Sequence, residues 1–156
     1  MIFHRYHGLG NDYLVCHHSV AALLSHEQIR RICDRHYGIG SDGLLIDHDD
    51  ADIPSLRIIN PDGSEAEKSG NGLRIYARYL FDTGRVSHKP FLVNTSGGQV
   101  RCEVTEGAHQ VIVDMGQAKF SPAALPANVE GDEALALPLV AGCLLYTSDA
   151  ADDGES

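Results

Sequence analysis

The chain has 156 residues, 43% apolar and 22% charged. That balance fits one globular domain, or half of a larger two-domain protein. Twelve basic side chains against 22 acidic ones leave a net charge of −10, which argues against nucleic acid or an anionic membrane as partner, since both reward clustered cations. The acidity is uneven. Residues 1–119 hold all 12 Lys and Arg with 15 Asp and Glu, whereas residues 120–156 hold 7 acidic side chains and no basic one. No apolar run reaches the roughly 18 residues of a membrane span, and the opening MIFHRYHGLGND lacks the apolar block of a signal peptide. A cytoplasmic protein is expected.

In chain order, residues 2–6 and 13–18 read as strands around a glycine-rich connection, 7–12. Ser25 opens a helix, with Gln28 at the capping-box spacing. Ile29, Ile32 and Cys33 give that helix an apolar stripe, and Gly38 suits its exit. Residues 44–47 and 55–60 read as strands, followed by a polar loop over 61–72. Leu73, Tyr76, Ala77 and Leu80 then fall at i, i+3, i+4 and i+7, which predicts an apolar core helix that Gly84 can end. Residues 91–94, 99–105 and 110–114 read as an antiparallel meander with turns at 96–98 and 106–107. Many short strands with two helices, and no regular strand–helix alternation, give the α+β class. After Phe120 no period holds. Residues 143–156 read as an atypical tail, neither a terminal strand nor a capped helix. Its LLYTSDAAD resembles translated adapter sequence, and the natural frame is expected to be interrupted near residue 142.

Cys16, Cys33, Cys102 and Cys143 form no CxxC pair. Free thiols are expected, the first three as small buried hydrophobes. The nine histidines show no HxxxH or HExxH spacing. His17 and His18 would face opposite sides of a strand, so no metal site is expected.

Gly38-Ile39-Gly40-Ser41-Asp42-Gly43 matches GxGxxG in the wrong context. A dinucleotide fingerprint follows a strand and opens a helix, whereas these glycines follow a helix and precede a strand. Ser69-Gly70-Asn71-Gly72 stands directly before the apolar helix. A helix start leaves backbone N–H groups free and carries positive partial charge. Glycines there let a carboxylate or phosphate approach. The same segment also reads as an ordinary N-cap, with Ser69 or Asn71 bonding the first turn. Asn11 and Asn60 place two further amides on turn-forming segments. An amide can hold either the ammonium or the carboxylate of an amino acid.

Taken together and in order, HGLGND (7–12), DRHYGIGSDGLL (34–45), RIINPDGSEAEKSGNGLRIYARYLFD (57–82) and VDMGQAKF (113–120) resemble the diaminopimelate epimerase family. The resemblance covers about residues 1–120. It implies a half in which mixed strands wrap a central helix: an N-terminal domain over 1–120, then the start of an inter-domain region over 121–142. It also implies a cytoplasmic isomerase that interconverts LL- and meso-2,6-diaminopimelate for lysine and peptidoglycan synthesis, with no cofactor and no metal. In the family two cysteines, one per half, act on opposite faces of Cα. By position, Asn11, Asn60, Gly70 and Asn71 match substrate-binding residues. Ser69 occupies the first catalytic cysteine's place. Gly43 stands where some members carry a substrate-contacting glutamine. The second half is missing, so the fragment is expected to be inactive alone. Its partners would be the amino-acid substrate, the absent C-terminal half and a second copy in a homodimer. Two alternatives remain: a proline-derivative epimerase or dehydratase of the same fold, or a non-catalytic module that binds a small carboxylate.

Overall fold

The computed structural model describes residues 1–48, 52–107, 110–118, 121, 138–141 and 144–147. The chain divides into two units, Met1–Met115 and Gly116–Ser156.

In the first unit, β1 (His4–Gly8) and β2 (Asn11–His17) form an antiparallel hairpin in which Gly8 pairs with Asn11. The expected six-residue connection is therefore a two-residue tip. Leu9 and Gly10 both have positive φ, 50° and 87°, the geometry whose twist matches paired strands. Asn11 and Asp12 consequently sit on a strand. The chain then turns into α1 (His18–Ala21), a short helix the sequence pattern did not announce. That turn brings the His17 and His18 rings to 4.2 Å between centroids and stacks His18 on His48 at 4.9 Å, against the expectation of opposite faces. Helix α2 (His26–Cys33) starts with both halves of the capping box, Ser25 and Gln28, in place.

Strand β3 (Leu44–His48) pairs parallel to β2 and antiparallel to β4 (Ser55–Ile59). A two-residue strand β5 (Glu65–Ala66) returns along β4. Helix α3 runs Gly70–Asp82, so the glycines expected to precede it form its first turn. The meander follows as β6 (Phe91–Thr95), β7 (Gly98–Val104) and β8 (Val111–Asp114), with β6 parallel to β4.

Side-chain alternation sends the sheet's two faces to two cores. Tyr13, Val15, Leu45, Leu56, Ile58, Val93, Val100 and Val104 meet Leu73, Ile75, Tyr76, Ala77 and Leu80 of α3. Leu14, Cys16, Leu44, Ile46 and Ile59 meet Ile29 and Cys33 of α2. Helix α3 touches β1 and β2 at one edge and β7 and β8 at the other, so the mixed sheet curls around it. Leu73, Tyr76 and Leu80 are fully buried. Burial of each such side chain contributes about 1.5–3 kcal/mol, which makes α3 the fold's anchor. Asp47, also buried, accepts from the Tyr76 hydroxyl and from Arg85, each at 2.5 Å. Burial, then this bond, pushes the Tyr76 hydroxyl's pKa upward.

In the second unit, β9 (Pro138–Ala141) pairs antiparallel with β10 (Leu144–Thr147). Part of the tail is thus a strand after all. Most of 121–142 and the rest of the tail, Cys143 included, lie outside the described residues.

Candidate functional site

Ser69 adopts an extended backbone, φ −143° and ψ 119°, and its hydroxyl accepts the Gly72 N–H at 3.0 Å. It is the N-cap of α3, which satisfies one of the first-turn donors. The Leu73 N–H bonds back to the Ser69 carbonyl at 2.8 Å. Among the described residues nothing accepts from the backbone N–H of Gly70 or Asn71. Both residues are partly exposed. A side chain at Gly72 would press on Ser69 and Leu45.

Asn71 reaches across the molecule. Its Nδ2 donates to Oδ1 of Asn11 at 2.7 Å, sixty residues away in sequence. Asn11 Nδ2 in turn donates to Asp42 Oδ2 at 3.1 Å, and the Asp12 backbone N–H reaches the same oxygen at 3.0 Å. Arg35 Nη2 binds Asp12 and Asp42, each at 2.6 Å, while Arg5 also holds Asp12. At the helix side, Arg74 Nη1 donates to Asn71 Oδ1 at 3.1 Å. The Arg35 hydrogen bond holds the Asp12 carboxyl below its ordinary value, with Arg5 adding to it against burial. For Asp42, burial raises the pKa but the Asn11 amide, the Asp12 N–H and Arg35 outweigh it, and the net direction is down.

Asn60 is placed differently. Its Nδ2 donates to Ser64 Oγ at 3.0 Å, and its backbone N–H to the Ser64 carbonyl at 2.8 Å. It thus closes its own turn, and among the described residues no hydrogen bond joins it to Asn11 or Asn71. Topology still puts it on the same rim: β2 and β3 begin there and β4 ends there, with Ile59 opposite Leu44. Gly43 lies on that rim too, buried, at φ 149°. Any Cβ there would collide with the Ile59 carbonyl oxygen, so this backbone requires glycine.

The sequence pattern thus named Ser69, Gly70, Asn71 and Asn11, which the structure brings together, and Asn60, which it places nearby. It did not single out Arg5, Asp12, Arg35, Asp42 or Arg74. The available signal was Asp42 inside the GxGxxG segment, set aside because its context is wrong for a nucleotide. The loop does follow α2 and precede β3, yet it supplies the carboxylate beneath Asn11.

The described cysteines do not contribute. Burial pushes the Cys16 and Cys102 thiols up to about 11, and burial likewise raises Cys33. Among the described residues no group of three or more His, Cys, Asp or Glu could hold a metal ion. A cavity of about 560 Å³ lies elsewhere, between α1–α2 and β4, lined by His18, Ile29, His48, Arg57 and Glu65. The Arg57–Glu65 ion pair, 2.7 Å, occupies its edge.

The diaminopimelate epimerase family model matches residues 3–121. Diaminopimelate epimerase 2 of Nostoc sp. is 48% identical over 140 residues, covering 85% of this chain and 47% of that protein. The diaminopimelate epimerase of Heliobacterium modesticaldum is 38% identical, covering 96% of this chain and 62% of that protein. A crystal structure of a probable proline racemase from Agrobacterium radiobacter aligns at TM-score 0.47 and 20% identity, over 66% of this chain and 37% of that one. The chain spans about half the length of most of the curated relatives it matches. By the family match and the identity of these relatives, the chain belongs to the diaminopimelate epimerase family.

Proposed function

We propose that the chain is the N-terminal half of an amino-acid epimerase acting on diaminopimelate, and that the start of α3 holds the substrate's carboxylate. The observation that carries this is the Asn71–Asn11 hydrogen bond at 2.7 Å. It fixes two amides beside the open Gly70 and Asn71 N–H groups. Donors arranged this way stabilise charge that grows on a carboxylate as the Cα proton leaves, without reorganising at that moment. Asn60 would contact the same substrate from the neighbouring turn.

Ser69 stands where the family's first catalytic cysteine would be. A hydroxyl is a far weaker acid than a thiol of pKa about 8.5, and it needs an adjacent base to act. Among the described residues, Ser69 Oγ has the Gly72 N–H as its hydrogen-bond partner and no base. The second acid/base would come from the absent half. The reading therefore assigns this chain binding of the carboxylate and one face of Cα, and no turnover alone. The missing base at Ser69 favours one second reading, a module that binds a small carboxylate without chemistry.

Solvent deuterium incorporation at Cα of diaminopimelate tests the assignment. The 156-residue chain should give none. The chain continued through a C-terminal half with its own cysteine, and carrying Ser69→Cys, should give exchange. Exchange by the chain alone contradicts the lack of a working base at Ser69, inversion by the chain alone contradicts the assignment of a single face, and no exchange by the completed Ser69→Cys protein contradicts the epimerase reading.

A further inference from the structure

We infer that Asp42 and Arg74 are positioning residues that set which way the Asn11 and Asn71 side-chain amides face. The inference rests on the reading that this helix end binds a carboxylate. An amide side chain can be turned over with little change of shape, exchanging its oxygen for its NH₂. The ends of this relay forbid that. An ionised carboxylate only accepts hydrogen bonds, and a guanidinium only donates them. Asp42 Oδ2 therefore demands the NH₂ of Asn11. Arg74 Nη1 demands the oxygen of Asn71. The middle bond, Asn71 Nδ2 to Asn11 Oδ1, then has the one polarity compatible with both ends. Turning either amide would set like against like at two junctions.

Asp42 cannot easily rotate out of this role. Its Oδ1 is held by Arg35 at 2.6 Å, and its Oδ2 also takes the Asp12 backbone N–H. Arg35 is itself clamped by Asp12. The consequence is chemical. Each NH₂ uses one hydrogen inside the relay and keeps a second N–H, while each oxygen already accepts one bond from its relay partner. Together with the Gly70 and Asn71 backbone donors, the helix start then favours a carboxylate over a cation. Asp42 itself need not touch the substrate.

Side-chain NH₂ signals of Asn11 and Asn71 in the ¹⁵N-labelled 156-residue chain test this without ligand. The unaltered chain should show one slowly exchanging pair for each residue. Asp42→Ala should speed exchange at both, including Asn71, which Asp42 does not contact, while the α3 backbone amides stay protected. An unchanged Asn71 pair in a folded Asp42→Ala chain overturns the inference. If that variant does not fold, Asp42→Asn decides, because an amide at 42 can donate or accept. Split Asn11 and Asn71 signals are expected there, and single sharp pairs like those of the unaltered chain overturn it. Where the unaltered chain binds diaminopimelate, Asp42→Ala should weaken binding about tenfold and add nothing to Asn11→Ala. Additive losses overturn the inference. Absent binding in the unaltered chain would sink the carboxylate reading, and the NH₂ signals would still decide the positioning role.

Discussion

Ser69 lets a one-atom change, oxygen to sulfur, probe the start of α3. Its Oγ caps α3 by accepting from Gly72 N–H, and a thiolate there would sit at the positive end of the same helix. Such a position lowers a thiol's pKa below the usual value near 8.5. Ser69→Cys should therefore create a thiol that titrates below about 8.5, read as the pH dependence of alkylation after subtracting the unaltered chain. Cys16 and Cys102, held near 11 by burial, would stay silent in that range. A new thiol titrating at 9 or above would mean the helix start does not stabilise negative charge. At this scale the site was partly legible. Serine, glycine and asparagine before an apolar period mark a helix start by their own chemistry. Asp42 was not, because its partners Asn11 and Asp12 are about thirty residues away and no local pattern encodes such a pairing.

Among the elements, the long periodic ones read clearly and the short ones did not. Helix α3 and the β6–β8 meander have enough residues for a period to show. Helix α1 has four residues and β5 two, so neither carries one, and their conformation comes from the sheet around them. The β1–β2 hairpin was misread for another reason. Leucine at positive φ is unfavourable, so Leu9-Gly10 does not look like a two-residue turn, and the glycines suggested a longer loop. The hairpin's end is tied to the 34–43 loop by Arg5, Asp12, Arg35 and Asp42. Asp12 and Asp42 both lie below their ordinary 3.8 when folded. A depressed carboxyl pKa adds stability that is complete above the unfolded value and fades as pH falls through the folded one. The loss therefore belongs below about pH 4. Arg35→Ala should therefore cost stability chiefly near pH 7, modestly because the ion pairs are exposed, and its deficit against the unaltered chain, measured by urea unfolding followed by circular dichroism, should shrink as pH falls below about 4. A deficit that stays the same from about pH 7 to about pH 3 would mean these carboxylates are not coupled to folding.

For the whole molecule, residues 1–115 supply a complete core: a curled sheet with α3 on one face and α2 on the other. That class follows from the sequence because short strands outnumber helices without alternating with them. The order of the strands does not follow, since β2 beside β3 and β4 beside β6 are parallel crossovers between distant segments. This topology delivers Asn11, Asp42 and the start of α3 to one place, and the proposed function depends on that place holding a carboxylate. Titrating diaminopimelate into the ¹⁵N-labelled chain tests it most directly. The account predicts saturable shifts at the Gly70 and Asn71 backbone amides and at the Asn11 side-chain NH₂, all with one dissociation constant, and their loss in Asn11→Ala. Shifts confined to other residues, or none at millimolar ligand, would contradict it.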